Sequence, residues 1–404
     1  VLHKEGVKSG HLPVNHMDAG AAFIKQKGQE ALCSLTLVYA HHQGLPDFTV
    51  EMNREETVCY RDTRESVRVC FDRELEQLLQ LHRQLIPEST GHKPEYCEGD
   101  MSMFFRMVFS CLVDADHSDT ATVYGQYPKR DTMPKLQPEL RLEALNRYVA
   151  SLGADSPNRR NELRTQMYEK CRDGQQEEGI VSNDGPVGSG KTTAVMAYQL
   201  NQAILKGARR IFVVLPYTNI ITQSVEVYRE ALKLPGEEPE TVVAELHCKA
   251  DFEDEDTRYL TSLWRAPIIV TTAVAFFETL ASNRPGTLRR LHELPGSIIF
   301  MDEAHAALPL KLLPLAWHWM KVLEKEWSCY WILASGSLVR FWQIPELVGM
   351  EKKQVPEMVP ANLRNELLGY EKNRIQFCWN PRPLSRTELT DWVMAEPGPR
   401  LVIM

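Results

Sequence analysis

The chain has 404 residues, 43% of them hydrophobic and 25% charged, and a formal net charge of −8. This length predicts two or three domains, and the composition excludes a disordered, collagen-like or coiled-coil protein. No uncharged apolar run approaches the ~20 residues of a membrane span, and the negative balance excludes a generic polyanion binder, so any nucleic-acid surface has to be a local groove.

Residues 1–125 are rich in helical periodicity and in histidine, and Phe104–Val113 reads as a buried helix. Gly125 to Leu136 is polar, contains Pro128 and Pro134, and reads as a linker. Leu140, Leu142, Leu145, Tyr148, Val149 and Leu152 follow at helical spacing, and a second helix is predicted around Asn161–Cys171. From Gly179 the pattern changes to strand–turn–helix. Ile211–Leu215, Pro267–Val270 and Ser297–Met301 are short, apolar and β-rich, each followed by turn chemistry or helical periodicity. Alternation of this kind argues for a parallel α/β sheet. Residues 345–400, broken by prolines from Pro345 to Pro399, read as a connection holding one helix, Ser385–Met394.

The nine cysteines are scattered, odd in number and free of any C-x-x-C pair. This argues against a disulfide framework or zinc knuckle and for mostly buried, reduced thiols in a cytoplasmic protein. The chain starts at Val1 and stops in the apolar run Arg400–Met404, so both ends read as cut.

Gly185-Pro-Val-Gly-Ser-Gly-Lys191-Thr192 fits G-x-x-x-x-G-K-[ST]. Its glycines let backbone N–H groups wrap phosphate oxygens, Lys191 reaches the β/γ-phosphates, and Thr192 offers a hydroxyl to Mg²⁺. Gly185, Gly188, Ser189, Gly190, Lys191, Thr192 and Thr193 are the candidate phosphate cradle, followed by helical residues Ala194–Leu200. Further on, Ile298–Met301 is an apolar strand ending in Asp302-Glu303-Ala304-His305. Asp302 is the candidate Mg²⁺ holder, and Glu303 the group that orients or activates the attacking water. The two motifs in this order predict ATP, or a related nucleotide, with Mg²⁺.

The Asp-Glu-Ala-His tetrad after a P-loop resembles superfamily 2 helicases. In that scheme Leu215-Pro216-Tyr217-Thr218 and Val270-Thr271-Thr272 fall where the nucleic-acid backbone is gripped, and small hydroxyl residues suit phosphate contacts that read no sequence. Ser335-Gly336-Ser337 stands where the family has Ser/Thr-Ala-Thr, the segment coupling hydrolysis to movement; the middle alanine is glycine here. Two longer segments, Phe212–Gln223 and Trp264–Leu280, then Leu288–His292 and Ser297–Ile299, resemble the CRISPR-associated type I helicase-nuclease. The similarity runs from about Asn161 to Leu338.

That family carries an HD-type nuclease domain ahead of the motor. Val14-Asn15-His16 with Gly20-Ala21, His41-His42-Gln43-Gly44, and Asp114-Ala-Asp116-His-Ser-Asp119-Thr120 are similar to its motifs. The resemblance implies metal ligands at His16, His41, His42 and Asp116, with Asp114 the alternative to Asp116. Imidazole and carboxylate together suit Mn, Fe, Co or Ni, and such a centre activates water against a phosphodiester. His3, His11, His92 and His117 are read as ordinary histidines.

The implied architecture is an all-α HD-type nuclease domain followed by a RecA-like parallel-sheet helicase domain. Its divisions are 1–125 (partial nuclease), 126–160 (linker and helix), 161–366 (first RecA-like domain) and 367–404 (connection and start of a second). The implied partners are single-stranded DNA and a guide-RNA surveillance complex of the Cascade kind, with no membrane. The family's nuclease begins with a His and an adjacent His-Asp pair upstream of His16; no His-Asp dipeptide occurs there in this chain, so little nuclease activity is expected of it. An arginine from a second RecA-like domain normally closes the ATP site, and only that domain's first strand is expected at Pro399–Met404, so weak ATP binding without unwinding is expected too. Two other readings fit part of the pattern: an ordinary superfamily 2 DNA or RNA helicase with an unrelated helical front, and a non-hydrolysing nucleic-acid-binding regulator.

Overall fold

The structure is a computed structural model. It describes residues 16–26, 31–85, 99–127, 134–153, 158–175, 177–246, 259, 261–349, 353–374, 379–395, 397–399 and 401. His3, His11, His92, three of the cysteines and most of the apolar run at Arg400–Met404 lie outside the described residues.

Six strands form one sheet: β1 Ile180–Asn183, β2 Arg210–Leu215, β3 Val243–Leu246, β4 Ile268–Thr272, β5 Ser297–Asp302 and β6 Tyr330–Ala334. Their order is β1-β6-β5-β2-β4-β3, and every pair is parallel. The central strands are buried along nearly their whole length and mostly apolar because helices cover both faces. Successive residues of β2 serve opposite cores. Ile211 and Val213 face the helices Pro138–Gly153, Arg159–Arg172, Lys191–Lys206 and Thr218–Ala231. Phe212 and Val214 face Trp264, Phe276, Leu280, Trp317 and Leu323.

The front of the chain is helical: His16–Lys25, Leu32–Ala40, Phe48–Met52, Glu65–Leu85 and Met101–Val123. The last of these contains the apolar run at Phe104–Val113 and is capped by Asp100, whose Oδ1 accepts from Met103 N–H at 2.8 Å. It does not pack only within the front. Met103, Met107, Phe109 and Val113 enter the same core as Trp264, Leu288, Leu291 and Leu323. The front and the sheet therefore share apolar packing.

The expected helix spans Pro138–Gly153; it buries Leu145, leaves Leu140 and Leu152 exposed and fully buries Arg141. Two expectations are corrected. Residues 345–400 hold more than one helix: Pro345–Val348 and Ala361–Lys372 precede Arg386–Ala395. Pro360 stands immediately before Ala361 as the cap residue, where the lack of an N–H costs nothing. The segment ahead of it also extends the sheet: Ser182 N–H donates to Pro356 O and Met358 N–H to Ser182 O, both at 2.8 Å, laying Glu357 parallel to β1. Finally, of the described cysteines only Cys171 and Cys329 are buried; Cys33, Cys70 and Cys111 are exposed.

Candidate nucleotide site and histidine cluster

The carboxyl ends of parallel strands, where the strand order turns back, are where α/β sheets bind ligands. Here β1 runs into Asp184 and Gly185, β5 into Asp302-Glu303, and β6 into Ser335-Gly336-Ser337. Gly188 and Gly190 have φ of 88° and 83°, a left-handed backbone that a side chain resists, and the turn delivers the chain to the N-terminus of the helix Lys191–Lys206. Arg164 Nε donates to Gly188 O at 2.8 Å, and Gly185 N–H donates to Asn183 Oδ1 at 3.0 Å. Ser189 Oγ and Asn183 Nδ2 are buried without a hydrogen-bond partner, an arrangement that fits a polar ligand in the cradle. Thr192 is exposed, while the Thr193 hydroxyl donates back to Gly190 O at 3.2 Å.

Burial pushes the Lys191 ammonium down, and the Asp302, Glu303 and Asp184 carboxylates hold it up in part. Burial pushes the Asp302 carboxyl up, against the pull of Lys191. Asp302 and Glu303 beside the single Lys191 ammonium leave negative charge that a divalent cation would balance. Glu303 has φ of 49°, a strained setting of the kind found at functional sites. Its Oε2 accepts from Ser335 Oγ at 2.6 Å, and that Oγ accepts from Ser337 N–H at 3.0 Å.

Beside the loop lies a cleft of about 310 Å³ lined by Tyr148, Leu152, Arg164, Tyr168, Gly190 and Thr192 among others. Half-apolar walls next to a phosphate cradle suit a nucleotide's base and sugar. No sequence motif marks this wall, nor Asp184, whose Oδ2 accepts from Arg340 and Arg364 at 2.9 and 3.0 Å. An acid between a strand and a glycine-rich turn was the available signal.

Tyr217 is exposed, Pro216 and Thr218 are half-buried, and all three lie at the entry to the helix Thr218–Ala231. Thr271 and Thr272 differ. Thr271 is fully buried and donates to Leu246 O at 2.9 Å, and Thr272 Oγ1 accepts from Ala275 N–H at 3.1 Å as a helix cap. The Thr271 hydroxyl is spent within the sheet.

In the front, His16, His41 and His42 converge, with one ligand atom of each within 4.8 Å of the others. Their Nε2 atoms meet at 3.1 Å (His16–His41) and 2.9 Å (His16–His42). His41 Nδ1 lies 2.6 Å from Val38 O. A carbonyl only accepts, so Nδ1 carries the proton and Nε2 presents its lone pair, the tautomer a metal requires. Burial and the neighbouring His41 push the His16 and His42 imidazoles down, while Asp116 pulls both up. The donor set thus fits a divalent transition metal. Asp114, the alternative ligand, is engaged elsewhere: Arg265 Nη2 donates to its Oδ2 at 2.6 Å and Arg289 Nε to its Oδ1 at 2.7 Å. No described helix is long and apolar enough to cross a membrane.

Residues 166–324 match the family model for DEAD/DEAH box helicases. Among solved structures the chain is similar to T. fusca Cas3 with AMPPNP, at 17% identity and a TM-score of 0.52, over 82% of this chain and 40% of that one. The similarity to T. fusca Cas3 with ADP is equal in TM-score and coverage, at 16% identity. These likenesses establish the fold, a RecA-like parallel α/β sheet, and the chain spans 40% of the length of each. No curated protein sequence matches the chain significantly.

Proposed function

We propose that the chain is the nucleotide-binding half of an ATP-driven single-stranded DNA motor joined to a metal-dependent nuclease, of the CRISPR-associated type I helicase-nuclease kind. The observation that carries this reading is the helix Met101–Val123. It carries Asp116, whose charge acts on His16 and His42, and it carries Asp114 and four apolar residues that pack into the core beneath the sheet. One helix thus joins the neighbourhood of the histidine cluster to the core of the sheet domain, which supports a motor and a nuclease held together.

In this reading the turn from Gly185 to Thr193 wraps the phosphates, and Lys191 neutralises their charge. Mg²⁺, when bound by Thr192 and Asp302, supplies Lewis-acid charge to the phosphate oxygens. Glu303 orients the attacking water and takes its proton, and the Ser335 hydroxyl fixes the carboxylate in that role. Pro216, Tyr217 and Thr218 form one wall of the DNA track, and Thr271 and Thr272 shape the second through the backbone they hold. His16, His41, His42 and Asp116 would hold a transition metal (Mn, Fe, Co or Ni), which would supply activated water for phosphodiester cleavage. A guide-RNA surveillance complex is the partner in this proposal, and the cytoplasm its site.

Equilibrium dialysis with Mn²⁺ and titration with Mg²⁺–ATP test both halves. Metal binding lost in His41→Ala, and nucleotide binding lost in Lys191→Ala, support the reading. A chain that binds nucleotide but no transition metal points instead to an ordinary superfamily 2 helicase with a helical front.

A further inference from the structure

The tip of the phosphate loop touches the loop after β6 at Gly336. A β-carbon on Gly336 would lie 2.9 Å from Val187 Cγ2, 3.5 Å from Val187 N and 4.0 Å from Lys191 Nζ. The first of these separations is closer than packed carbons tolerate. The Val187 side chain therefore occupies the space that an alanine methyl at 336 would fill. We propose that Val187 and Gly336 are a complementary pair that sets the position of the phosphate loop against Ser335–Ser337, and that glycine stands at 336 because valine stands at 187. This inference rests on the nucleotide-site reading above.

Two observations make the contact consequential rather than incidental. Val187 is 78% exposed, so its side chain has room to swing outward. Its backbone N lies at ordinary contact distance, 3.5 Å, and the next residue, Gly188, is held by Arg164 through its carbonyl, so the clash falls on the side chain and the turn fits closely against Gly336. Relief of a clash at 336 by moving the backbone would shift the turn that carries Lys191. On the other side, Gly336 sits between Ser335, which donates to Glu303, and Ser337, whose N–H donates to Ser335. The pair therefore joins the phosphate loop to the acid that handles water, which makes Val187 and Gly336 positioning residues.

The test is a double-mutant cycle on the full chain, read as affinity for mant-ADP with Mg²⁺. Gly336→Ala is expected to weaken binding about fivefold, the effect of one methyl forced into a filled space. Combined with Val187→Ala, which vacates that space, the same substitution is expected to cost less than about twofold. Val274→Ala, at an exposed position on another helix, is expected to give no rescue. Equal affinity of Gly336→Ala and the unaltered chain, or penalties of the two substitutions that multiply, would overturn the pair. If Gly336→Ala melts below the titration temperature, the double variant decides: it must fold and bind like Val187→Ala, and failure to do so refutes the proposal. Failure of the unaltered chain to bind mant-ADP is a separate result that removes the nucleotide site itself and the pair with it.

Discussion

Ser335 Oγ donates to Glu303 Oε2 at 2.6 Å, so the loop after β6 holds the acid after β5. Glu303 sits at φ 49°, and a carboxylate in a strained turn keeps its aim only while a partner fixes it. A hydrogen bond to a charged group contributes about 1.5–3 kcal/mol. Ser335→Ala is therefore expected to lower kcat for ATP hydrolysis by about tenfold or more, with little change in KM, because Ser335 touches the acid and not the phosphates. Lys191→Ala should instead abolish nucleotide binding. Steady-state ATPase assays with single-stranded DNA present separate the two patterns, and a Ser335→Ala effect confined to KM would count against this role.

The parts of the fold that sequence revealed are those where chemistry is local. β2, β4 and β5 are built on apolar runs because both faces are covered, and their boundaries were readable to within two residues. The glycine-rich turn and Asp302-Glu303 are contiguous motifs. What escaped notice depends on partners distant in sequence. β3 is a short edge strand with only its first two residues buried. The helix Ala361–Lys372 was hidden by prolines that read as breakers, although Pro360 is its cap. Nothing local in Arg164 shows that it holds Gly188, and nothing in Asp114 shows that two arginines far along the chain will claim it.

The two acids on the helix Met101–Val123 are expected to behave oppositely. Asp114 balances Arg265 and Arg289, and all three side chains are at most 14% exposed. Removing one partner of such a buried pair costs about 3–5 kcal/mol because the remaining charges stay buried. Asp114→Asn should thus lower thermal stability and raise hydrogen exchange along this helix. The charge of Asp116 acts on His16 and His42, so Asp116→Asn should leave the melting point nearly unchanged and weaken Mn²⁺ binding. Differential scanning calorimetry and metal titration on both variants check the pair; a reversal of the two phenotypes would place the ligand at Asp114.

Burial pushes the thiols of Cys171 and Cys329 up to about 12 from an ordinary 9.0. In the unfolded chain both ionise near the ordinary value. Between these limits the folded state keeps protons that the unfolded state has shed, so stability falls as pH rises, by up to about 1.4 kcal/mol per pH unit for each thiol. The buried hydroxyls of Tyr168, Tyr198 and Tyr228 are pushed up as well and extend the trend to higher pH. Urea unfolding should therefore show full stability at about pH 8 and a clear loss by about pH 10. At the lower pH, iodoacetamide should label Cys33, Cys70 and Cys111 in the native protein and reach Cys171 and Cys329 only after unfolding. Peptide mass spectrometry distinguishes the two groups, and early labelling of Cys171 would refute its burial.

Arg141 ties the helix Pro138–Gly153 to the segment that follows the helix Thr218–Ala231. It is fully buried, and its guanidinium donates to Leu136 O at 2.7 Å, to Leu232 O at 2.9 Å and to both carboxylate oxygens of Glu237 at 2.8 and 2.9 Å. Arg141→Ala strands a carboxylate and two carbonyls at once, a loss of about 3–5 kcal/mol. Arg141→Lys should recover little, since an ammonium cannot reproduce the planar fork. The same helix supplies Tyr148, Val149 and Leu152 to the cleft beside Gly190 and Thr192. Loosening it should therefore weaken nucleotide binding as well as stability, whereas a helix that merely links two domains would leave nucleotide affinity untouched. Chemical denaturation and mant-ADP titration of Arg141→Ala, run on the same preparation below its unfolding midpoint, decide between these two roles.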